Sequence, residues 1–560
     1  MLKNPDSWCD FGFWILDFGL RQVENPRPWY CTPRGKPKRS WPNPRTAPAN
    51  PKSKIQNPKC FPGLAGTRLL ALGSVAVLVL LVVLLRWHSS APGSAPAGPP
   101  LLLYCAAGLK VPVEAVVKAY AQSYGVQVQL QFGGSQTLLA GAQVSHRGDL
   151  YVPADEYYME EARNKGLVDE IIPLARMQPV LAVRKGNPKN VKSLDDLLRQ
   201  EVRVCQANPD AAAVGRLVRE ALLKRGRWEP LKARTVVFKP TVNDVANDIK
   251  IGSADAGFVW DATVRQYPEL ENVSVPELNG LAGHVLVGVL RSSANATAAL
   301  RFARYLAAGD KGLPEFQRYG FTPVEGDAWA ETPELRVFSG AMLRPAVEDT
   351  YRSFEQREGT KITRVYNGCG ILVAQMRAGE HPDAYFSCDK SFMAQVTDLY
   401  LDSTDVSENR LVILAPKGNP RHISSAKDLC APGLRIGVGH EKQSALGALT
   451  RKVLDAAGLY DAMAKNIAVE SPTGDMLVNQ LRTGSLDAAV VYITNAAASR
   501  DSLEIIPVGL PGSLNIQPFA IGKECRYPCL TRRLWQALKS AESKKRFEAI
   551  GFKWLLAPEK

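Results

Sequence analysis

Histidine is scarce in this chain, which has only six among its 560 residues. The sequence also lacks an H-E-x-x-H motif, a G-x-S-x-G elbow and a G-x-x-x-x-G-K-[ST] loop. These absences argue against a zinc peptidase, a serine hydrolase with a nucleophile elbow and a phosphate-loop nucleotidase. We therefore assign no catalytic residue, no resident metal and no cofactor, and we do not expect an enzyme.

A basic stripe interleaved with aromatic residues is also missing. The formal net charge is +14, but residues 1–68 hold twelve Lys or Arg against four Asp or Glu, so that segment contributes +8 and the remainder +6. Most of the excess charge thus lies in the head of the chain. A nucleic-acid partner is not expected on this pattern.

One apolar segment stands out. From Leu69 to Leu85 there are 17 residues without a charge, including eight Leu and five Val, which is enough to span a bilayer. The alternative is a cleaved signal peptide with a later true start. The basic head predicts that residues 1–68 stay in the cytoplasm and that the rest of the chain is exported. The predicted segments are a basic, Pro-rich head without an assigned fold (1–68), an anchor or signal (69–87) and an extended linker (88–100).

The remaining sequence is an internal duplication. KGNP at 185–188 recurs 232 residues later at 417–420, and GSADAGFVW at 252–260 corresponds to GSLDAAVVY at 484–492. This spacing is too long for a solenoid, so each copy is a whole domain with its own core. The two predicted domains span 101–325 and 334–560.

Each copy alternates short apolar runs with helical periodicity. LLLYCAA at 101–107 predicts a buried strand, 111–125 an amphipathic helix, and VQVQLQF at 126–132 a second strand. This strand, helix and strand form a βαβ unit and indicate an α/β fold with parallel strands.

Small and polar residues follow the predicted strands. Gly108 comes after the first strand, Gly134 and Ser135 after the second, and Asp155 after the third. Ligands of such sheets bind beyond the carboxyl ends of the strands, where small residues let the backbone approach and helix N-termini hold anions. These loops therefore predict an anion site.

The sequence resembles the type II periplasmic solute-binding proteins, specifically their molybdate-binding branch. The segments that carry the resemblance are YCAAGLK, FGGSQTLLAGAQ, DLYVPADEYYMEEARNKGLV, LAVRKGNP and GSADAGFVW in the first copy, and FSGAMLR, YNGCGILVAQM, DAYFSCDKSFM, LAPKGNP and GSLDAAVVY in the second. The resemblance implies two tandem bilobal domains, with one lobe of the first at 102–182 plus about 285–325 and the other at 183–284. It also implies a solute trapped in the cleft between each pair of lobes.

The residues that bind the ligand in this family are only partly preserved at the corresponding positions of this chain. The first-loop serine corresponds to Gly108 and Met342, the second-loop serine to Ser135 and Cys369, and the tyrosine to Trp260 and Tyr492. Ser339 is a possible substitute hydroxyl in the second copy. The predicted ligand-binding residues are Gly108, Gly134, Ser135, Asp155, Trp260, Ser339, Cys369, Gly370, Asp389 and Tyr492.

Several of these residues could have a purely structural role in place of ligand binding. Asp155 and Asp389 are also suited to cap the helices that follow them, and Trp260 and Tyr492 to pack in the core. Cys369 and Cys388 are interpreted as buried apolar residues, as a disulfide, or as soft ligands for a metal or thiophilic solute. Elsewhere, Cys525 and Cys529 are the expected local disulfide.

The resemblance implies an extracytoplasmic receptor that captures an oxyanion such as molybdate or tungstate and delivers it to an ABC transporter permease. The predicted location is the cytoplasmic membrane, with a single pass and both binding domains on the outer, periplasmic side. The alternatives are a sensory or scaffold protein with one active and one degenerate domain, and a binder of a metal or small organic solute.

Overall fold

Each repeat consists of two α/β lobes in the computed structural model, which describes residues 99–557. The predicted head, the apolar segment from Leu69 to Leu85 and nearly all of the linker lie outside the described residues. Within residues 99–557, no helix is long and apolar enough to cross a membrane.

The first repeat contains eleven strands and nine α-helices. Its strands are β1 (Leu101–Ala106), β2 (Val128–Gly133), β3 (Leu150–Val152), β4 (Val168–Met177), β5 (Pro179–Arg184), β6 (Val204–Ala207), β7 (Thr235–Lys239), β8 (Ala256–Trp260), β9 (Leu270–Val273), β10 (Gly283–Leu290) and β11 (Thr322–Pro323). Its helices are α1 (Lys110–Tyr124), α2 (Ser135–Ser145), α3 (Glu156–Asn164), α4 (Ala213–Leu223), α5 (Trp228–Arg234), α6 (Val242–Ile251), α7 (Asp261–Gln266), α8 (Ala296–Leu306) and α9 (Gly312–Arg318).

The second repeat contains ten strands and eight α-helices among the described residues. Its strands are β12 (Glu334–Gly340), β13 (Lys361–Asn367), β14 (Ala384–Phe386), β15 (Thr404–Pro416), β16 (Ile436–Gly439), β17 (Ile467–Ser471), β18 (Ala488–Tyr492), β19 (Leu503–Pro507), β20 (Leu514–Ile521) and β21 (Lys553–Trp554). Its helices are α10 (Arg344–Glu358), α11 (Cys369–Arg377), α12 (Lys390–Ala394), α13 (Ala445–Ala456), α14 (Tyr460–Ala464), α15 (Gly474–Arg482), α16 (Pro528–Leu538) and α17 (Ala541–Ile550). Short 3-10 segments follow β1 and β12, at Ala107–Leu109 and Ala341–Leu343.

The predicted βαβ unit at the start of the first repeat is confirmed. Strands β1 and β2 pair in parallel, with Leu101 opposite Val128, and α1 connects them. The helix ends at Gly125, whose φ of 68° is the left-handed conformation that glycine adopts at low cost. The predicted fold of two tandem bilobal α/β domains is likewise confirmed.

The sheets define the lobes. In the first repeat, one lobe has the strand order β11-β4-β10-β3-β1-β2 and the other β7-β6-β8-β5-β9. The chain passes between the two lobes at Gln178, between β4 and β5, and returns before β10. In the second repeat the single strand β15 runs through both lobes, so the path β13-β12-β14-β20-β15-β18-β16-β17 is one sheet.

Charged residues join the two repeats. Arg357, at the end of α10, donates two hydrogen bonds to Glu170 of the first repeat, at 2.6 and 2.9 Å. Glu358 is almost completely buried; it accepts two hydrogen bonds from Arg533 and lies 4.0 Å from Nε of Arg304 in the first repeat. A cavity of about 1310 Å³ lies beside these residues.

The expected disulfide between Cys525 and Cys529 is wrong, because both are free thiols with separate partners. Cys525 Sγ lies 3.2 Å from Thr531 Oγ1, whereas Cys529 Sγ faces the Glu325 carbonyl oxygen at 3.8 Å. The carboxylate of Asp327 accepts the backbone N–H groups of Cys529 and Leu530 in the first turn of α16, which fixes the direction of Cys529.

Candidate functional site

The cleft of the first repeat is closed, and helix N-termini from both lobes meet there. The Gln136 N–H in the first turn of α2 donates to the Ala211 carbonyl oxygen, just before α4, at 3.0 Å. Asn243 Nδ2, in the first turn of α6, donates to the Ala107 carbonyl oxygen at 3.1 Å. The starts of α2, α4 and α6 and the 3-10 segment after β1 therefore surround one point.

Gly134 and Gly108 allow this close approach. A methyl group on Gly134 would lie 2.5 Å from the Ala211 carbonyl oxygen and 2.9 Å from that of Pro240. One on Gly108 would lie 3.0 Å from a methyl of Val242 and 3.3 Å from the Trp260 ring. A larger residue at Gly134 would collide with backbone that cannot rotate away.

The electrostatics of this cleft favour an anion. Each helix N-terminus carries partial positive charge and backbone N–H groups without a partner inside the helix. Several such termini at one point form an anion site without a net charge of their own. The arrangement therefore concentrates the positive ends of three helix dipoles at one point of the cleft.

Ser135 and Trp260 are the predicted side chains that line this cleft, and both are buried. Ser135 Oγ accepts the Ala154 N–H at 3.2 Å. Within residues 99–557 no hydrogen bond uses the Ser135 hydroxyl as donor, so its O–H can serve a ligand. The Trp260 ring lies against Gly108 and Gly283, which places the indole on the wall of the cleft.

Asp155 lies at the same cleft and acts in two ways. Its side chain caps α3 by accepting the Tyr157 N–H at 3.1 Å. It also accepts a 2.6 Å hydrogen bond from Arg216 Nη2 of α4, in the other lobe. Arg216 was not among the predicted site residues, although an arginine within the apolar stretch AVGRLV is an unusual feature of the sequence.

Burial and charge act against each other in this ion pair. Burial raises the pKa of Asp155, and the Arg216 charge opposes that rise without cancelling it. Burial lowers the pKa of Arg216, but the carboxylates of Asp155 and Glu220 outweigh burial and raise it. Since the guanidinium stays charged, Asp155 keeps a cationic partner in the closed cleft.

The second cleft is closed by the same contacts. Gly370 N–H donates to the Gln443 carbonyl oxygen at 3.0 Å, as Gln136 does to Ala211. A methyl group on Gly368 would lie 2.3 Å from that oxygen and 2.6 Å from the Pro472 carbonyl oxygen. The starts of α11, α13 and α15 thus converge as α2, α4 and α6 do.

The side chains of the second cleft differ from those of the first. Tyr492 is buried, and its hydroxyl accepts from Asn515 Nδ2 at 2.9 Å. Asp389 caps α12 through the Ser391 N–H, but Ala448 stands where the first repeat has Arg216, so that ion pair has no counterpart in the described part of the second repeat. Ser339 is fully buried, and its hydroxyl has no hydrogen-bond partner among the described residues.

Cys369 and Cys388 meet in the second cleft as free thiols. The Cys388 backbone N–H donates to Cys369 Sγ at 3.1 Å. Burial raises the pKa of Cys369, but hydrogen bonds from its neighbours, above all Cys388, together outweigh burial and lower it. The contact with Cys369, followed by burial, raises the pKa of Cys388.

Two α/β lobes that close on a ring of helix N-termini define a two-lobed solute-binding protein, and this chain contains two of them. Residues 101–322 and 335–553 each match the family of bacterial extracellular solute-binding proteins, and the chain belongs to that family. The expected resemblance to its molybdate-binding branch is confirmed. The family consists of binding components of transporters.

Individual relatives match one repeat at a time. The molybdate-binding protein ModA of Mycobacterium bovis is 28% identical over 223 residues, which is 39% of this chain and 83% of that protein. Among solved structures, the periplasmic molybdate-binding protein of Azotobacter vinelandii is 20% identical, covers 40% of this chain and all of its own (100%), and has a TM-score of 0.34. The sulfate-binding protein SubI of Mycobacterium tuberculosis is 22% identical, covers 41% of this chain and 88% of its own, and has a TM-score of 0.37.

Proposed function

We propose that the first repeat captures a small tetrahedral oxyanion, of the molybdate or tungstate kind, for delivery to the permease of an ABC importer. The observation that carries this proposal is the convergence of helix N-termini from both lobes on a closed cleft. A dehydrated dianion satisfies N–H groups that the closed cleft removes from water.

The side chains of the first cleft support an oxyanion over a cationic or organic solute. Arg216, the cationic side chain that reaches across this cleft, is already paired with Asp155, whereas Ser135 offers a neutral donor. Ser135 contributes a hydroxyl whose proton is not used within residues 99–557, and the buried Trp260 limits the size of the ligand. Neutral donors in a dry site select an anion by size and geometry.

The proposed location follows from the sequence of the head. In this proposal, the segment from Leu69 to Leu85 anchors the protein in the cytoplasmic membrane, and both repeats face the periplasm. The linker lets them reach a permease in the same membrane.

A thermal-shift experiment on the full chain tests the proposal. Molybdate, tungstate, sulfate and phosphate are added separately; a ligand at a hundred times its Kd stabilises the protein by about 2.7 kcal/mol. Molybdate or tungstate is expected to raise the melting temperature more than sulfate or phosphate does.

Two variants locate the site. Ser135→Ala removes one hydrogen bond to a charged ligand and should lower affinity roughly tenfold to a hundredfold. Ser253→Ala, at an exposed serine that only bonds the Asp248 carbonyl oxygen, should leave affinity unchanged. If no oxyanion raises the melting temperature, the oxyanion proposal fails and the sensory or scaffold alternative is favoured.

A further inference from the structure

At three equivalent positions, the second cleft has a sulfur atom where the first cleft has none. Gly108 is replaced by Met342 in the 3-10 segment, Ser135 by Cys369 at the start of the helix, and Ala154 by Cys388 before the next helix. These residues come from three separate loops of the second repeat. The change at Cys369 removes a hydroxyl from the cleft wall, and all three changes add sulfur atoms, which are soft ligands.

Gly340 brings the two thiols together. A methyl group built on Gly340 would lie 2.0 Å from Cys388 Sγ and 3.2 Å from Cys369 Sγ. Both sulfur atoms therefore occupy the space next to one residue that has no side chain. The two cysteines are 0% and 6% exposed, so the closed lobes shield them from water.

Met342 lies on the same wall of the cleft. Its Sδ is 3.6 Å from Asn409 Nδ2, and Asn409 is opposite Asn515 in the β15–β20 ladder. Asn515 in turn donates to the Cys388 carbonyl oxygen at 2.7 Å. One pair of opposed asparagines thus connects the Met342 thioether to the backbone of Cys388.

We propose that the second cleft binds a soft monovalent cation of the Cu(I) or Ag(I) kind through Cys369 and Cys388, with Met342 as a neighbouring thioether ligand. Thiolate and thioether ligands select such ions. Each thiol that binds the ion releases its proton to solvent.

The number of ligands distinguishes this ion from zinc. Residues 99–557 contain no group of three or more His, Cys, Asp or Glu side chains that could hold a metal ion. Structural zinc sites use four such ligands, whereas two thiolates and a thioether suit an ion of low coordination number. This inference concerns the second cleft and goes beyond the oxyanion site proposed for the first.

The test is a Cu(I) titration of the reduced full chain under anaerobic conditions, with bicinchoninate as the competing ligand. The triple variant Met342→Gly, Cys369→Ser, Cys388→Ala places the residues of the first cleft in the second. We expect it to bind one Cu(I) fewer per chain than the wild type. The control Cys205→Ser, at a buried thiol of the first repeat that bonds Asp248, should bind as many as the wild type.

A simpler variant covers the case in which the triple variant does not fold. Cys369→Ser alone should also lose one Cu(I), while its circular dichroism spectrum remains that of the wild type. Equal numbers of bound Cu(I) in the wild type and the Cys369→Ser variant would overturn the proposal. The proposal would also be overturned if non-reducing peptide mapping found a disulfide between Cys369 and Cys388 and the reduced protein bound no more Cu(I) than the oxidised protein.

The outcome of the Cu(I) titration does not depend on whether the first cleft binds an oxyanion. The triple variant retains Ser135 and Trp260, so any molybdate-dependent thermal shift should persist in it. Conversely, Ser135→Ala should leave the Cu(I) count unchanged. Failure of one proposal is thus distinguishable from failure of the other.

Discussion

Asp155 and Arg216 form a buried ion pair that joins the two lobes of the first repeat, with 2.6 Å between Asp155 Oδ1 and Arg216 Nη2. The guanidinium also lies over the Tyr157 ring, 4.1 Å from its centroid. Because opening of the cleft separates the two charges, this pair couples closure of the lobes to the stability of the domain.

Arg216→Met should destabilise the protein. It leaves the buried Asp155 carboxylate without its partner, which typically costs about 3–5 kcal/mol. Arg219→Met is the matched control on the same helix, because Arg219 pairs with an exposed Asp210 and such pairs contribute about 1 kcal/mol or less. Urea unfolding of the full chain measures both, and equal stabilities of the two variants would contradict the role given to Arg216.

Gly134→Ala should keep the first cleft from closing fully. The added methyl group would collide with two backbone carbonyl oxygens of the opposite lobe, whereas the φ of −70° at Gly134 is acceptable for alanine. Hydrogen exchange at the Gln136 amide, which bonds across the cleft, should therefore become faster. Gly141→Ala, in the same helix with nothing within 4 Å, should leave that exchange unchanged and stabilise the helix by about 0.5–1 kcal/mol. Slow exchange at Gln136 in the Gly134 variant would exclude this steric account.

Glu358→Gln should weaken the junction between the repeats. Burial lowers the pKa of Arg304 to about 10, and the nearby Glu358 carboxylate opposes that effect. Without the carboxylate, the buried guanidinium groups of Arg304 and Arg533 lose the anion that they share, at a cost of about 3–5 kcal/mol. The expected result is a lower midpoint in calorimetry; the control Glu542→Gln, whose side chain is 62% exposed, should match the wild type. A wild-type midpoint for Glu358→Gln would show that the junction does not need this charge.

The destabilising effect of Asp487→Asn should disappear at low pH. Hydrogen bonds from Arg435 hold the pKa of Asp487 below its ordinary value of 3.8. A carboxylate with a lowered folded-state pKa contributes stability above the unfolded-state pKa, and this contribution disappears as pH falls through the folded-state value. The difference in unfolding free energy between wild type and Asp487→Asn should thus be constant near neutral pH and shrink below about pH 4. The exposed Asp461→Asn serves as the control, and a difference that grows on acidification would show that the sign is wrong.

The sequence was sufficient to predict the tandem α/β repeats and the loops that surround each cleft. Hydrophobic periodicity predicted β1, α1 and β2 within two residues, because a buried βαβ unit is encoded locally. The position of Ser135 after the second strand followed from the same pattern, whereas Cys369 and Cys388 were placed at their cleft through the family resemblance. Their use by a solute stays a prediction.

Relationships between distant residues were not accessible from the sequence. Arg216 lies 61 residues from Asp155, and only the folding of one lobe onto the other brings them together. The separate directions of Cys525 and Cys529 depend on Asp327, which lies about 200 residues earlier in the chain. Such contacts are set by tertiary packing, which local patterns do not encode.

The unbroken strand β15 gives the two repeats different mechanics. In the first repeat, the break between β4 and β5 falls at Gln178, whose N–H donates to the Asp261 carboxylate and whose carbonyl oxygen accepts the Asp261 N–H. In the second repeat, one continuous strand pairs with β18 and β19 in one lobe and with β20 and β21 in the other. Opening of the lobes must therefore bend that strand. The two repeats thus differ in the joint on which any opening of the lobes turns, and the repeat with the continuous strand is the one that holds the paired thiols.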